Sequence, residues 1–132
     1  MRSLVALVVG LLMGGLLTLI GMNSLRKGTA YPNGTMAVMA AQMGHLDTKL
    51  KAGACSAEDL ATPLLTLTAL GNDLEPAFLP TADDEAFSSH AADYRAAVDA
   101  ASAALPADCV QADAKLDAIS ATCKACHQQF KG

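Results

Sequence analysis

From Met36 to Phe130 the large apolar side chains recur at alternating spacings of three and four, in four separate stretches. The first is Met36, Met39, Met43, Leu46, Leu50, and the second is Leu60, Leu64, Leu67, Leu70/Gly71, Leu74, Phe78. The third is Phe87, Ala91, Tyr94, Val98, Ala101, Leu105, and the fourth is Cys109, Ala112, Leu116, Ile119, Cys123, Cys126, Phe130. Such spacing puts each set on one face of a helix. Start signals support the assignment. Thr62-Pro63 offers an N-cap and first turn for the second helix, with Ser56 capping a lead-in. Thr81-x-x-Asp84 reads as a capping box for the third, and Asp108 as the N-cap of the fourth. Tyr31-Pro32-Asn33-Gly34 reads as a turn ahead of the first helix. Short connections between four such helices predict an all-α, up-down-up-down four-helix bundle.

The N-terminal segment follows a different pattern. Leu4 to Met22 runs nineteen residues without a charge, after Arg2 and before Arg26 and Lys27. At about 1.5 Å per residue it nearly spans a bilayer's hydrocarbon core. The expectation is an uncleaved transmembrane anchor in residues 1–27, followed by a globular domain in 28–132. The alternative is a signal peptide cut after Ala30. Gly10 and Gly14 form a Gly-xxx-Gly pair of the kind that lets two anchors approach closely, although glycine is common throughout this segment.

Composition sharpens this division. The chain has 132 residues, 52% hydrophobic and only 4% aromatic. Fifteen apolar residues lie in positions 1–22, and 26 of the remaining 54 are alanine. A core this poor in large side chains and in β-branched or aromatic residues disfavours a β-sandwich and favours helix. It also leaves room for bulk that is not protein. From Gly28 onward six Lys/Arg face thirteen Asp/Glu. That balance disfavours nucleic-acid binding and suits a basic protein partner.

Cys123-Lys124-Ala125-Cys126-His127 carries the chemistry. On a helix, positions i, i+3 and i+4 share a face. Both thiols can then reach one flat ligand while the imidazole sits beneath its centre. This is the geometry for two thioether bonds to haem, with His127 as the proximal iron ligand. A thioredoxin-like dithiol would follow a strand in a βαβ setting, and a zinc site needs a second close Cys/His pair. The sequence offers neither.

With this motif, Cys-x-x-Cys-His-x-x-Phe-Lys at Cys123–Lys131, the chain resembles the class II cytochromes c, the cytochrome c′ group, from about Tyr31 to Lys131. The resemblance implies a left-handed four-helix bundle holding one covalent haem c at one end, frequently as a homodimer. The family often has a tryptophan where Phe87 stands. Aligning Tyr31 and Met39–Gly44 with the family's first helix puts Met36 at the distal haem face. Low-spin relatives carry a coordinating methionine there, while cytochromes c′ carry an apolar residue and bind small gases. Met36 is therefore the expected sixth ligand, with Met39, a turn further away, the second candidate. Met36 also belongs to a methionine stripe that would serve simply as core. Where the family often has Arg-Gln near a haem propionate this chain has Pro32-Asn33, leaving Arg26, Lys27 or Lys131 as substitutes.

Cys55 precedes helix two and Cys109 opens helix four. In an up-down-up-down bundle those two loops fall at the end away from the haem, so a Cys55–Cys109 disulfide is expected. His45 and His90 lack a second ligand-type neighbour and read as surface or helix-flank residues. The functional expectation is a membrane-tethered periplasmic electron carrier on the bacterial inner membrane, not an enzyme, exchanging electrons with basic redox proteins. A soluble periplasmic form after cleavage is the alternative location. A five-coordinate gas-binding (NO/CO) cytochrome c′ is the alternative function. A small dithiol oxidoreductase is a third reading, which requires that no haem be attached.

Overall fold

The computed structural model describes residues 2–79, 81–103 and 108–130, with side chains described in 10–21, 30–79, 81–103 and 108–130. Among the described residues every regular element is helical: α1 (Arg2–Lys51), α2 (Ala57–Asn72), the single turn α3 (Leu74–Ala77), a 3₁₀ turn at Thr81–Asp83, α4 (Glu85–Ala103) and α5 (Cys109–Phe130). The chain divides into two compact units, Met1–Asn33 and Gly34–Gly132.

In the first unit Leu11, Leu12, Met13, Leu16, Leu17, Leu19 and Ile20 are all exposed. Thr18 returns its hydroxyl to the Gly14 carbonyl at 2.8 Å, so its polar group is satisfied within the helix. The apolar run Leu4–Met22 lies partly outside the described side chains. Among the described residues no helix is long and apolar enough to cross a membrane. Residues 31–34 are helical, where the sequence predicted a turn. An interior proline loses one N–H hydrogen bond and crowds the carbonyl four residues back, at about 3 kcal/mol, and α1 runs on through Pro32 despite that cost.

The second unit is built around one core. The α1 stripe contributes buried Met39 and Leu46, with Met36, Met43 and Leu50 packed against it. At the end of α1 Gly53 takes φ +73°, a left-handed conformation that glycine adopts without penalty. That turn lets the Ala54 N–H reach back to the Lys49 carbonyl at 2.9 Å, closing the helix.

Three boundaries differ from the sequence expectation. α2 begins at Ser56, whose hydroxyl accepts from the Asp59 N–H while the Asp59 carboxylate accepts from the Ser56 N–H. The helix then runs through Pro63, which is buried, so Thr62-Pro63 is not its start. α2 also stops at Asn72 instead of continuing to Phe78. α2 absorbs Pro63, but a helix continued to Phe78 would carry a second proline in its interior, at Pro76. The chain instead kinks at Asp73, placing Pro76 in the first turn of α3 with Leu74 and Ala77 buried. Finally, Asp84 itself caps α4, accepting from the Ala86 N–H at 2.8 Å. Thr81 opens the 3₁₀ turn, so the expected Thr81–Asp84 capping box does not form. Asp108 caps α5 through Gln111 N–H at 2.8 Å.

α4 and α5 are antiparallel. Phe87 meets Phe130, His90 meets Gln129, and Lys115 donates to the Ala100 carbonyl. Continuing that register sets Ala91 level with Cys126, Tyr94 with Cys123, Val98 with Ile119 and Ala101 with Leu116. α2 packs on α4 through the Tyr94 hydroxyl, which donates to the Leu67 carbonyl at 3.2 Å. Arg95 donates to the Gly71 carbonyl at 3.0 Å and to both Glu75 oxygens at 2.8 Å.

Candidate functional site

The site lies along the last two turns of α5. Cys123 and Cys126 are one turn apart, both half-buried and both free thiols. His127 follows on the exposed side. Cys123 packs against the core beside Tyr94 of α4, and the register sets Cys126 level with Ala91. Burial pushes the Cys123 thiol up from its ordinary pKa, and the neighbouring Cys126 adds to the rise. Burial raises Cys126 too. Both shifts run opposite to the depressed values of reactive thiolates in dithiol oxidoreductases. Tyr94 is also pushed well above the ordinary tyrosine value, first by burial and then by Cys123. Its hydroxyl therefore stays protonated and keeps donating to α2.

Aromatic rings close this end of the core. Phe78 stands 5.6 Å from Phe87, and Phe87 meets Phe130 edge-on at 5.5 Å. Phe87 is buried and both neighbours are partly so. The methionine stripe of α1 flanks the same core: Met39 is buried, Met36 and Met43 half-buried.

This donor set fits a covalently held haem. Two uncharged thiols lie one turn apart on a helix, an imidazole follows in the next position, and thioethers line another face of the core. Among the described residues no three His, Cys, Asp or Glu gather as a metal cluster would require. Cys55 and Cys109, the other two cysteines, are joined in a disulfide with Cα atoms 5.2 Å apart. Arg26, Lys27 and Lys131, the candidates for a propionate partner, lie outside the described side chains. A groove between α2 and α4, lined by Thr62, Leu65, Thr68, Asp99 and Ser102, lies toward the disulfide end and away from this chemistry.

His45 is exposed. His90 is not simply a surface residue. It is half-buried, with Nε2 3.1 Å from Gln129 Oε1 and its ring edge-on to Phe130 at 6.0 Å. Sequence reasoning missed these contacts because the partners are some forty residues distant. The available signal was its position three residues after Phe87, near the apolar face of α4.

No family model matches the chain, and no curated protein matches it. Among solved structures, cytochrome c′ from Rubrivivax gelatinosus is similar, with a TM-score of 0.64 and 22% identity over 78% of this chain and 93% of that one. At this identity the likeness shows the fold, the cytochrome c′ four-helix bundle.

Proposed function

We propose that the chain is a membrane-tethered monohaem c-type cytochrome that carries single electrons, and that it is not an enzyme. The observation that carries this reading is the division of the cysteines. Cys55 and Cys109 are paired, while Cys123 and Cys126 remain half-buried thiols beside His127. The bundle fold shared with a cytochrome c′ supports it. When bound, haem c supplies a one-electron couple at iron. Cys123 and Cys126 would hold the group through thioethers, and His127 would bind iron from one face. Met36 would supply a second donor, a soft thioether that favours the reduced state. Phe78, Phe87 and Phe130 keep water from that end of the core, and the Tyr94 hydroxyl, satisfied by Leu67, presents no stray proton donor.

Residues 52–94 hold eight carboxylates and no Lys or Arg, which suits a basic redox partner. The uncharged run Leu4–Met22, exposed wherever its side chains are described, supports a tether in the bacterial inner membrane, while the placement of the haem domain in the periplasm rests on the haem reading itself. A soluble periplasmic protein after cleavage is the alternative, and N-terminal sequencing separates the two.

The test is the mass and absorption spectrum of the protein as exported. One covalent haem is expected; a haem-free protein with two thiols at Cys123 and Cys126 refutes the reading. A second reading is a five-coordinate gas-binding cytochrome c′. Its support is the packing of Met36 against the core, which suits an apolar lid. The ferric spectrum distinguishes them. Low-spin iron with a sulfur-to-iron charge-transfer band is expected, and it should be lost in Met36→Ala. A high-spin ferric spectrum, or one unchanged in Met36→Ala, removes Met36 as a ligand.

A further inference from the structure

We propose that His90 is a positioning residue, which holds the final turn of α5 and through it the His127 imidazole. Its bearing on His127 rests on the haem reading given above. The antiparallel register sets His90 level with His127. Its Nε2 and the Gln129 Oε1 are 3.1 Å apart, and its ring edge meets Phe130 at 6.0 Å. An amide oxygen accepts, so Nε2 carries the proton. Gln129 and Phe130 are the second and third residues after His127, in the turn whose last carbonyls have no helical partner and which would otherwise fray. His90 thus fastens a helix end at the one place where its position sets the orientation of an axial ligand. Phe87, one turn earlier on α4, also packs edge-on against Phe130, at 5.5 Å. The aromatic contacts and the hydrogen bond together tie the turn to α4. An imidazole held this way would keep one orientation towards the group that Cys123 and Cys126 would carry.

The test uses the holoprotein and three variants: His90→Ala, Gln129→Ala and His90→Gln, whose amide nitrogen reaches about as far as Nε2. Two readouts are taken, amide exchange along α5 and the reduction potential. In His90→Ala, exchange at Gln128–Phe130 should speed by about fivefold to tenfold, the size of one lost hydrogen bond. Exchange at Leu116 and Ile119 should stay unchanged. The potential should shift as the imidazole loses its fixed orientation, Gln129→Ala should behave alike, and the double variant should do no more than the larger single. His90→Gln should restore both readouts. Unchanged exchange in His90→Ala overturns the proposal, as does failure of His90→Gln to rescue or a potential that does not move when exchange does. The exchange readout does not depend on haem. A haem-free protein would therefore sink the functional reading while the α4–α5 tie was still judged on its own.

Discussion

Gly71→Ala is a demanding test of the packing beside the candidate site. Gly71 is buried near the end of α2, and a Cβ built there would lie 3.0 Å from Tyr94 Cε1, 3.2 Å from Arg95 Cγ and 3.4 Å from Tyr94 Cδ1. Alanine by itself is worth about 1 kcal/mol over glycine inside a helix. The sign therefore depends on whether the neighbours can move. Tyr94 is 4% exposed and its hydroxyl is fixed on the Leu67 carbonyl. Arg95 is held by both Glu75 oxygens and the Gly71 carbonyl itself. Neither side chain can retreat without giving up a hydrogen bond. Overpacking of this kind costs about 1–3 kcal/mol, so a net loss of about 1 kcal/mol is expected after the helix gain. Thermal or urea unfolding should show it, with Tm lower by about 4 °C. In a Tyr94→Phe background the ring is free to slide, and the same substitution should cost less. A Gly71→Ala protein as stable as its parent, or an undiminished cost in the Tyr94→Phe background, would refute the argument that pinned neighbours set the sign.

Replacing Cys55 and Cys109 together by serine should lower stability by about 4 kcal/mol in the chain-entropy model for a separation of 54 residues. Denaturant midpoints measure this, and a loss under about 1 kcal/mol would mean the ends are already held together by packing. Glu75 gives a pH signature. The Arg95 hydrogen bonds hold its carboxyl below the ordinary value, against the upward push of burial. A depressed folded value means its contribution is present above the unfolded value and lost as pH falls through the folded one. Glu75→Gln should thus cost about 1 kcal/mol at neutral pH, with the gap closing below about pH 4.3, the free glutamate value. A gap independent of pH would show that the pair contributes by packing alone.

The stripes of α4 and α5 follow directly from sequence, since Phe87, Ala91, Tyr94, Val98 and Ala101 on α4 and Ala112, Leu116 and Ile119 on α5 are buried as their spacing requires. The break at Asp73 is less evident. The apolar period continues smoothly from Leu70 to Leu74 and Phe78, and Pro76 alone does not announce the break, because α2 runs on through Pro63. Likewise Ser56 and Thr62 both read as caps for α2, and the choice turns on Asp59 being placed to answer Ser56 reciprocally. Cys123, Cys126 and His127 fall within five residues of one helix, so their common face needs no tertiary information. His90 is the opposite case. Its neighbours Gln129 and Phe130 become visible only once α4 and α5 are paired, and no local pattern announces them.

α5 also acts as a ruler. Four cysteines admit three complete pairings, and two of them join Cys109 to Cys123 or to Cys126. Those residues share one helix at separations of fourteen and seventeen positions. At helical rise they stand about 21 and 25 Å apart, far beyond the roughly 7 Å between Cα atoms that a disulfide tolerates. Once α5 is formed, both mixed pairings are sterically impossible. The remaining one joins Cys55 to Cys109 and leaves the other two sulfurs to each other or to a ligand. A single rigid element thus sorts the thiols by distance, separating a structural pair from one left available to a ligand.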